Sequence, residues 1–440
     1  MFVHPFDVYL RSALLAMLAL VDDGPVATRV ASDGHTIAGP TYAYVDGRWL
    51  IDGRFVRRTR WSMNGLLTDS VPPRVDSTIH LNGGWAVPPF ADAHTHNLDG
   101  TFNLDSVRAL YVREGTFYVQ VLTNSRTGAD RVRAGWNRPC ELDVAYANGG
   151  VTSTLSHPFL AYEPRAMGFY TDWASHAAEI RASRKAENDS YFFIDSLPDL
   201  DRKWPVILAG RPDVLKIFLL DASEHPPAMP DTGLPSGHGL RPSLVLEIVR
   251  RAHAAGLRVA AHIETANDFR IALNAGVDMF AHLPGYEMAA GADSSLYLID
   301  DATARLAGAR GIVATPTLSL AVIFDGPVVD RIVQTRRNLQ IYNIKLLKRY
   351  GVNIVVGSDW FGRTASDEYR TLASTGIWSP AQLLHVWSEE TSRAIFPRRR
   401  IGRLSQGWEA SFLVLSADPT RSFQLPDITL RVKQGCLIRP

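Results

Sequence analysis

From residue 85 onward, short apolar segments of strand-like composition alternate with segments of helical period. A chain patterned this way folds as parallel strands joined by crossover helices. The strand-like segments are 87–93, 116–122, 151–156, 214–219, 258–262, 279–282, 312–315 and 353–357. Several follow a glycine that can close the preceding helix in the left-handed conformation, as in Asn148-Gly149-Gly150, Ala255-Gly256, Ala275-Gly276 and Tyr350-Gly351. Between two of them, Leu244, Ile248, Val249, Ala252 and Ala255 fall near helical spacing, with Ser243 placed to cap an outer helix. Eight such units predict an α/β fold, a (β/α)8 TIM-type barrel over residues 85–397.

A barrel of this kind takes about 250 residues, so the 440-residue chain holds something more. Residues 42–56 (YAYVDGRWLIDGRFV) are rich in aromatic and β-branched side chains and twice punctuated by Asp-Gly, a hairpin signal. Strand character returns at 411–415 and 428–432, after Pro397. Residues 31–84 and 398–440 are therefore expected to form one small β-sandwich domain. A Pro/Gly-rich loop, 226–242, follows the fourth strand.

In residues 1–30, Arg11 precedes the apolar run SALLAMLALV (12–21), which resembles a weak secretory signal, although Asp7 and the lack of an Ala-x-Ala site depart from that pattern. Two destinations stay open: periplasmic or secreted if the segment is a signal peptide, cytoplasmic if it is a plain apolar helix. No apolar run reaches the roughly 18 residues of a spanning helix, so no transmembrane segment and a soluble protein are expected. Forty-six Lys and Arg against 45 Asp and Glu give a net charge of +1. That balance argues against nucleic acid as a partner and for a small-molecule substrate, with a homo-oligomer possible. The two cysteines, Cys140 and Cys436, are far apart and suggest neither a zinc ribbon nor a disulfide framework.

Polar residues interrupt the strand ends in a repeated way. His94 and His96 close the first strand, and period-two alternation turns both to one side. Alone, such a pair is weak evidence. Lys216 interrupts an apolar strand, where a bare ammonium is costly. His262 ends Val-Ala-Ala-His, His282 ends Met-Phe-Ala-His, and Asp359 follows Ile-Val-Val-Gly-Ser. A lone strand-end histidine is usually a structural residue, and a lone Ser-Asp a helix cap. Because barrel active sites are assembled from the C-terminal ends of several strands, six such residues on strands one, four, five, six and eight point to a metal site.

Over residues 42–419 the sequence resembles the amidohydrolase superfamily. Its His-x-His after strand one is matched by His94 and His96, its strand-four lysine by Lys216, its strand-five and strand-six histidines by His262 and His282, and its strand-eight aspartate by Asp359. The resemblance implies that Lys216 is carboxylated by CO2 and bridges two divalent metal ions. His94, His96, Lys216 and Asp359 would hold one, and Lys216, His262 and His282 the other. A mixed N/O ligand set suits zinc, with manganese, iron or cobalt as alternatives. It further implies a metal-bridging hydroxide as nucleophile and Asp359 as its proton shuttle.

Carboxylated-lysine members resembling prolidases or cyclic amidases suggest cleavage of an amide, peptide or cyclic amide C–N bond. Ester, lactone or phosphotriester hydrolysis uses the same centre. A mononuclear deaminase is a further reading, on His262-Ile263-Glu264, against which Lys216 counts; a metal-binding scaffold without turnover is another. Ser411 stands where the family's terminal motif has Asp, and Pro88-Pro89 where it often has Pro-Gly. Asn124, His157, Tyr286, Thr317 and Arg363, just past strand ends, are the candidate substrate contacts.

Overall fold

The computed structural model describes residues 40–222, 239–288, 291–323 and 331–439. Residues 1–30, and with them the signal-like run, lie outside it. β1 (Tyr42–Ile51) and β2 (Arg54–Met63) pair antiparallel down to Ile51 opposite Arg54. The turn between them is Asp52-Gly53, with φ of 47° and 76°, the doubly left-handed turn that Asp-Gly favours. The other Asp-Gly, Asp46-Gly47, makes no turn: the register shifts between Tyr44 and Gly47, a bulge within β1.

The chain continues with β3 (Leu66–Thr68), β4 (Ser77–His80) and β5 (Trp85–Val87). Ten strands follow: β6 (Phe90–Thr95), β7 (Thr116–Val121), β8 (Asp143–Tyr146), β9 (Gly150–Thr152), β10 (Tyr191–Phe193), β11 (Leu215–Phe218), β12 (Val259–His262), β13 (Met279–Ala281), β14 (Val313–Thr315) and β15 (Asn353–Ile354). The last three are β16 (Phe412–Leu415), β17 (Ile428–Lys433) and β18 (Cys436–Leu437).

These first five and last three strands share one small sheet, which is not a two-layer sandwich. It is a single eight-stranded sheet in the order β18-β17-β16-β5-β1-β2-β3, with β4 also on β1. The far edge bends back: Leu67 N donates to Trp408 O and Gly407 N to Leu67 O, each at 2.8 Å. The curled sheet encloses Tyr44, Trp49, Leu67, Ala86, Phe412, Val414 and Val432, so no second sheet is needed to cover its face. The first expected strand, 87–93, divides at Pro88-Pro89. Prolines donate no ladder hydrogen bond, and the residues before them, β5, belong to the small sheet.

The central α/β region contains two parallel sheets, β6-β7-β8 and β10-β9-β11-β12-β13-β14-β15. Helices carry apolar faces onto them. Pro242–Ala254, for example, buries Leu244, Val245, Ile248, Val249 and Ala252; it starts two residues earlier than a Ser243 cap would place it, with Arg241 at the N-cap and Pro242 in the first turn. Two strands, β8 and β10, were not among the expected eight. The sheets meet at two seams bridged by few backbone hydrogen bonds, Asp213 N to Tyr146 O at 2.7 Å on one side, and Ala93 N to Val356 O at 2.9 Å and Asp359 N to His94 O at 2.6 Å on the other.

The cysteines correct the sequence expectation. Cys140 and Cys436 form a disulfide, with Cα atoms 5.2 Å apart and 296 positions between them in sequence. It fastens β18 to the loop before β8, beside a buried ion network in which Asp143 Oδ2 lies 2.8 Å from Lys433 Nζ and 2.7 Å from Arg399. Arg399 also pairs with Glu409 at 2.8 Å. Among the described residues no helix is long and apolar enough to cross a membrane. Because the bridge closes so long a loop, Cys436→Ser or reduction is expected to lower the unfolding free energy by about 2–5 kcal/mol; denaturant titrations with and without reductant would show this, and coincident curves would contradict it.

Candidate metal centre

Asp359 is the meeting point of the strand ends. Its Oδ1 lies 3.1 Å from His94 Nε2 and 2.8 Å from His96 Nε2, and its Oδ2 3.5 Å from His282 Nε2. The ligand atoms of His94, His96 and Asp359 all fall within 4.8 Å of one another. His262 extends the group, its ring 4.8 Å from that of His282. Lys216 sits opposite Ala260 in the β11–β12 ladder, two positions before the pair Phe218 and His262, and its Nζ lies 5.2 Å over the Phe218 ring.

The loop that carries Asp359 is bound to β6 by side chains. Asp92, fully buried, accepts from Ser358 N at 2.9 Å, Ser358 Oγ at 2.7 Å, Tyr111 Oη at 2.9 Å and His94 N at 3.3 Å. Asn97 accepts from Gly362 N at 2.7 Å and donates to Arg363 O at 2.8 Å, while Asp359 N donates to His94 O at 2.6 Å. Gly357 permits this approach: a Cβ there would stand 2.7 Å from His94 N and 2.5 Å from Thr315 Cγ2. Asp359 (φ 53°), His282 (81°), Thr317 (50°) and Thr123 (94°) all hold left-handed backbone, a strain of about 1–3 kcal/mol each that persists where surrounding contacts impose it.

Hydrogen bonds on the far side of each imidazole fix which nitrogen faces inward. Thr123 O, which can only accept, lies 2.9 Å from His96 Nδ1, so Nδ1 carries the proton and a neutral His96 turns its Nε2 lone pair to Asp359. Thr317 Oγ1 donates to Pro316 O at 2.8 Å and receives His282 Nδ1 at 2.6 Å, with the same result. With the proton on Nδ1 alone, His96 Nε2 and Asp359 Oδ1, 2.8 Å apart, would both present lone pairs, an arrangement that a cation between them would satisfy.

The electrostatics agree. Burial pulls the His94 pKa down to about 4, with Asp359 opposing and Lys216 adding; burial likewise holds His262 and His282 well below the usual histidine range. Neutral imidazoles are the ligand form. Burial works upward on Asp359, but its contacts with His94, His282 and His96 outweigh it and keep this carboxyl well below the ordinary range. Burial lowers Lys216 to about 7, against the pull of Asp359. Lys216 Nζ and His94 Nδ1 are buried without a hydrogen-bond partner. An orphaned amine, neutral imidazoles and an ionised carboxylate form a donor set that fits divalent metal ions.

Residues 211–426 match the model of the Amidohydrolase family. Over that span, just under half of the chain, the sequence matches the amidohydrolase family. No curated protein matches it by sequence. Solved structures similar to it include an amidohydrolase (21% identity, covering 90% of this chain and 98% of that one, TM-score 0.68) and Aspergillus niger ochratoxinase (16%, 90% and 95%, 0.69). A prolidase complexed with N-methylphosphonate-L-proline is similar as well (16%, 91% and 99%, 0.66). At these identities the likeness is one of fold, the barrel-type α/β fold of amidohydrolases.

Around this centre the residues expected to touch substrate separate into three groups. Tyr286 lies flat on His282, centroids 4.0 Å apart, with its hydroxyl 3.3 Å from Glu264. His157 stacks on His262 at 4.8 Å. Arg363 stands at the rim, 4.9 Å over the Trp360 ring and 3.2 Å from Asp367. Thr317 instead orients His282. Asn124 is buried and its amide is spent on Asn148 and Ser125, a brace between loops that offers nothing to a ligand.

Three residues at the centre escaped sequence reasoning. Phe361 stacks on His96 at 5.3 Å, Arg165 lies 5.4 Å over Phe361, and Tyr162 donates to Thr123 O at 2.7 Å. Asp92 carried a legible signal, two residues before His94 in the same strand; Arg165 and Tyr162, on a helix far from any ligand in sequence, carried none.

The histidine shifts fix the sign of an acid effect. A histidine depressed in the fold stays neutral while its unfolded counterpart protonates below about 6.5, and His94 takes its proton only near 4. Metal-free protein should therefore lose stability as pH falls from about 6.5 to 4. Denaturation midpoints of the chelated protein across that range would test this, and a flat profile would contradict it.

Proposed function

We propose that this chain is a metal-dependent hydrolase that cleaves a C–N bond of an amide, peptide or cyclic amide. The observation that carries the reading is the convergence of three imidazoles on Asp359 beside a buried, unpartnered amine. The prolidase and the ochratoxinase among its structural relatives support the amide class. The reading takes the two parallel sheets as one (β/α)8 barrel with its active end at the strand C-termini.

His94, His96, Asp359 and Lys216 would hold one ion, and Lys216, His262 and His282 the other, with zinc the ion best suited to the donors. Bound divalent ions supply an acidified water and an electrophile for the scissile carbonyl. Lys216, part-neutral because burial has lowered it to about 7, can attack CO2; the new N–C bond and loss of one proton give a carbamate, an anion where an ammonium would repel cations. Asp359 accepts a proton from the attacking water and delivers it to the leaving nitrogen, so that hydroxide adds to the carbonyl carbon, the C–N bond breaks and the amine departs neutral. Thr123 and Thr317 hold His96 and His282 in the tautomer that directs Nε2 inward.

Lactone, ester or phosphotriester cleavage would use the same groups. Glu264 Oε1, 3.0 Å from His262 Nε2, is the feature that favours a mononuclear deaminase; the orphaned Lys216 amine has no place in that scheme.

Asp359→Asn is expected to fold normally and lose about 10²-fold or more in turnover, measured on an N-acyl amino acid or peptide; near-normal turnover would remove Asp359 from the mechanism. Lys216→Ala should lose activity and regain part of it with added acetate or propionate, while Lys216→Arg stays inactive because a guanidinium cannot be carboxylated. An active Arg variant would end the carbamate reading.

A further inference from the structure

Thr317 decides which nitrogen of His282 faces Asp359, and Thr317 is itself held in an unfavourable shape. Its backbone is left-handed, at φ 50°, where a β-branched residue settles only under constraint. Tyr286, flat against His282 at 4.0 Å, fixes the plane of the imidazole but not its proton. The proton is set by the Thr317 hydroxyl, which donates to Pro316 O at 2.8 Å and is left to accept from His282 Nδ1 at 2.6 Å. Were the hydroxyl to turn and donate to Nδ1, the ring proton would move to Nε2. The nitrogen that faces Asp359 would then have no lone pair for a metal ion.

The constraint on Thr317 comes from Glu368, a fully buried residue of the helix Ser366–Ala373. Its Oε1 accepts from Leu318 N at 2.9 Å and its Oε2 from Ser319 N at 2.6 Å. Leu318 N shares a rigid peptide plane with the Thr317 carbonyl, so holding it sets the ψ angle of Thr317. The helix that carries Glu368 is itself anchored. Ser366 Oγ donates to Glu114 Oε2 at 2.9 Å, Tyr369 stacks on Trp387 at 4.7 Å, and Trp387 Nε1 donates at 2.9 Å to Ala91 O, in the strand of His94.

A group that accepts from the first N–H groups of a helix is ordinary, and water or a local Ser, Thr or Asp commonly serves. Here the acceptor comes from another helix and sits in the interior. Burial pushes the Glu368 carboxyl up to about 7, and its bonds to residues 319 and 318 pull the other way. An acid is costly in such a place, and both of its oxygens go to the two residues that follow Thr317.

Resting on the metal-centre reading of the proposed function, we propose that Glu368 is a positioning residue for His282. Its hold on residues 318 and 319 keeps Thr317 in the left-handed shape that places the imidazole proton on Nδ1 and leaves Nε2 open to a metal ion. It acts through Thr317.

The test uses the full chain at about pH 8.5, where Glu368 is an anion. In metal-free protein with nitrogen-15 in its histidine rings, the His282 signals, assigned with His282→Gln, should report a proton on Nδ1 in the wild type. Glu368→Gln should give a mixture of the two tautomers. Zinc affinity, read by competition with a chromophoric chelator, should fall by about 10- to 100-fold, as loss of a group behind a ligating histidine does. Thr317→Val should cause a similar fall, and the double variant no more than either alone, because both act on one proton. Should Glu368→Gln not fold, Glu368→Asp keeps the buried acid but is one methylene short of residues 318 and 319, and the same changes are expected of it. A His282 tautomer that does not respond to residue 368, or losses of affinity that add between the Glu368 and Thr317 variants, overturns the proposal, even where the melting temperature falls. If the tautomer shifts as stated while the wild-type protein binds no zinc, the metal reading fails and the positioning stands. If zinc is bound and the tautomer is indifferent to residue 368, the positioning fails and the metal reading stands.

Discussion

The Asp92 carboxylate holds together the two ends of the parallel-strand region, and the centre depends on that junction. No continuous ladder joins β6 to β15; the join is Ala93 N to Val356 O, Asp359 N to His94 O, and the four donors gathered by Asp92. Burial pushes the Asp92 carboxyl up to about 6, and hydrogen bonds from Ser358, Tyr111 and His94 pull the other way. A buried carboxylate is tolerable only when so satisfied. Three of its donors come from the strand that carries His94 and His96 and from the loop that carries Asp359, and the fourth, Tyr111, from the helix that follows, so satisfying Asp92 sets His94, His96 and Asp359 at contact distance.

Within that frame the centre is built against stability. Lys216 is buried without a partner, and four non-glycine residues keep left-handed backbone at the strand ends. Groups arranged this way raise the free energy of the metal-free fold, and a ligand that binds only the folded state offsets the cost by mass action. The remainder of the molecule supplies rigidity: the curled small sheet is fastened to the α/β region by the Cys140–Cys436 bridge and the Asp143, Lys433, Arg399 and Glu409 network.

What could be read in the sequence follows from how local each signal is. His94 and His96 share a face because a strand repeats every two residues, and Lys216 is conspicuous because its neighbours are apolar; both facts are visible within a few positions. The strand β8, Asp-Val-Ala-Tyr, was not legible because its first residue is charged, and the partners that make Asp143 tolerable, Lys433 and Arg399, lie far along the chain. The disulfide was hidden for the same reason. Alternation reveals that a strand has a buried face and not what covers it, so the sequence pattern leads to a sandwich where the structure has one curled sheet. Asn124 looked like a contact by position alone, yet its amide is consumed by Asn148 and Ser125, while Arg165 is a helix residue whose place over Phe361 is purely tertiary.

The account stands on metal ions held by residues from five strand ends. Crystals of the reconstituted protein, with diffraction recorded on both sides of the absorption edge of the added metal, test this most directly. The account predicts two anomalous peaks per chain, one bonded to His94, His96 and Asp359 and one to His262 and His282, at about 2.0–2.2 Å, with density for a carboxylated Lys216 between them. A chain that binds no ion there, or one ion beside an unmodified Lys216 amine, would contradict it.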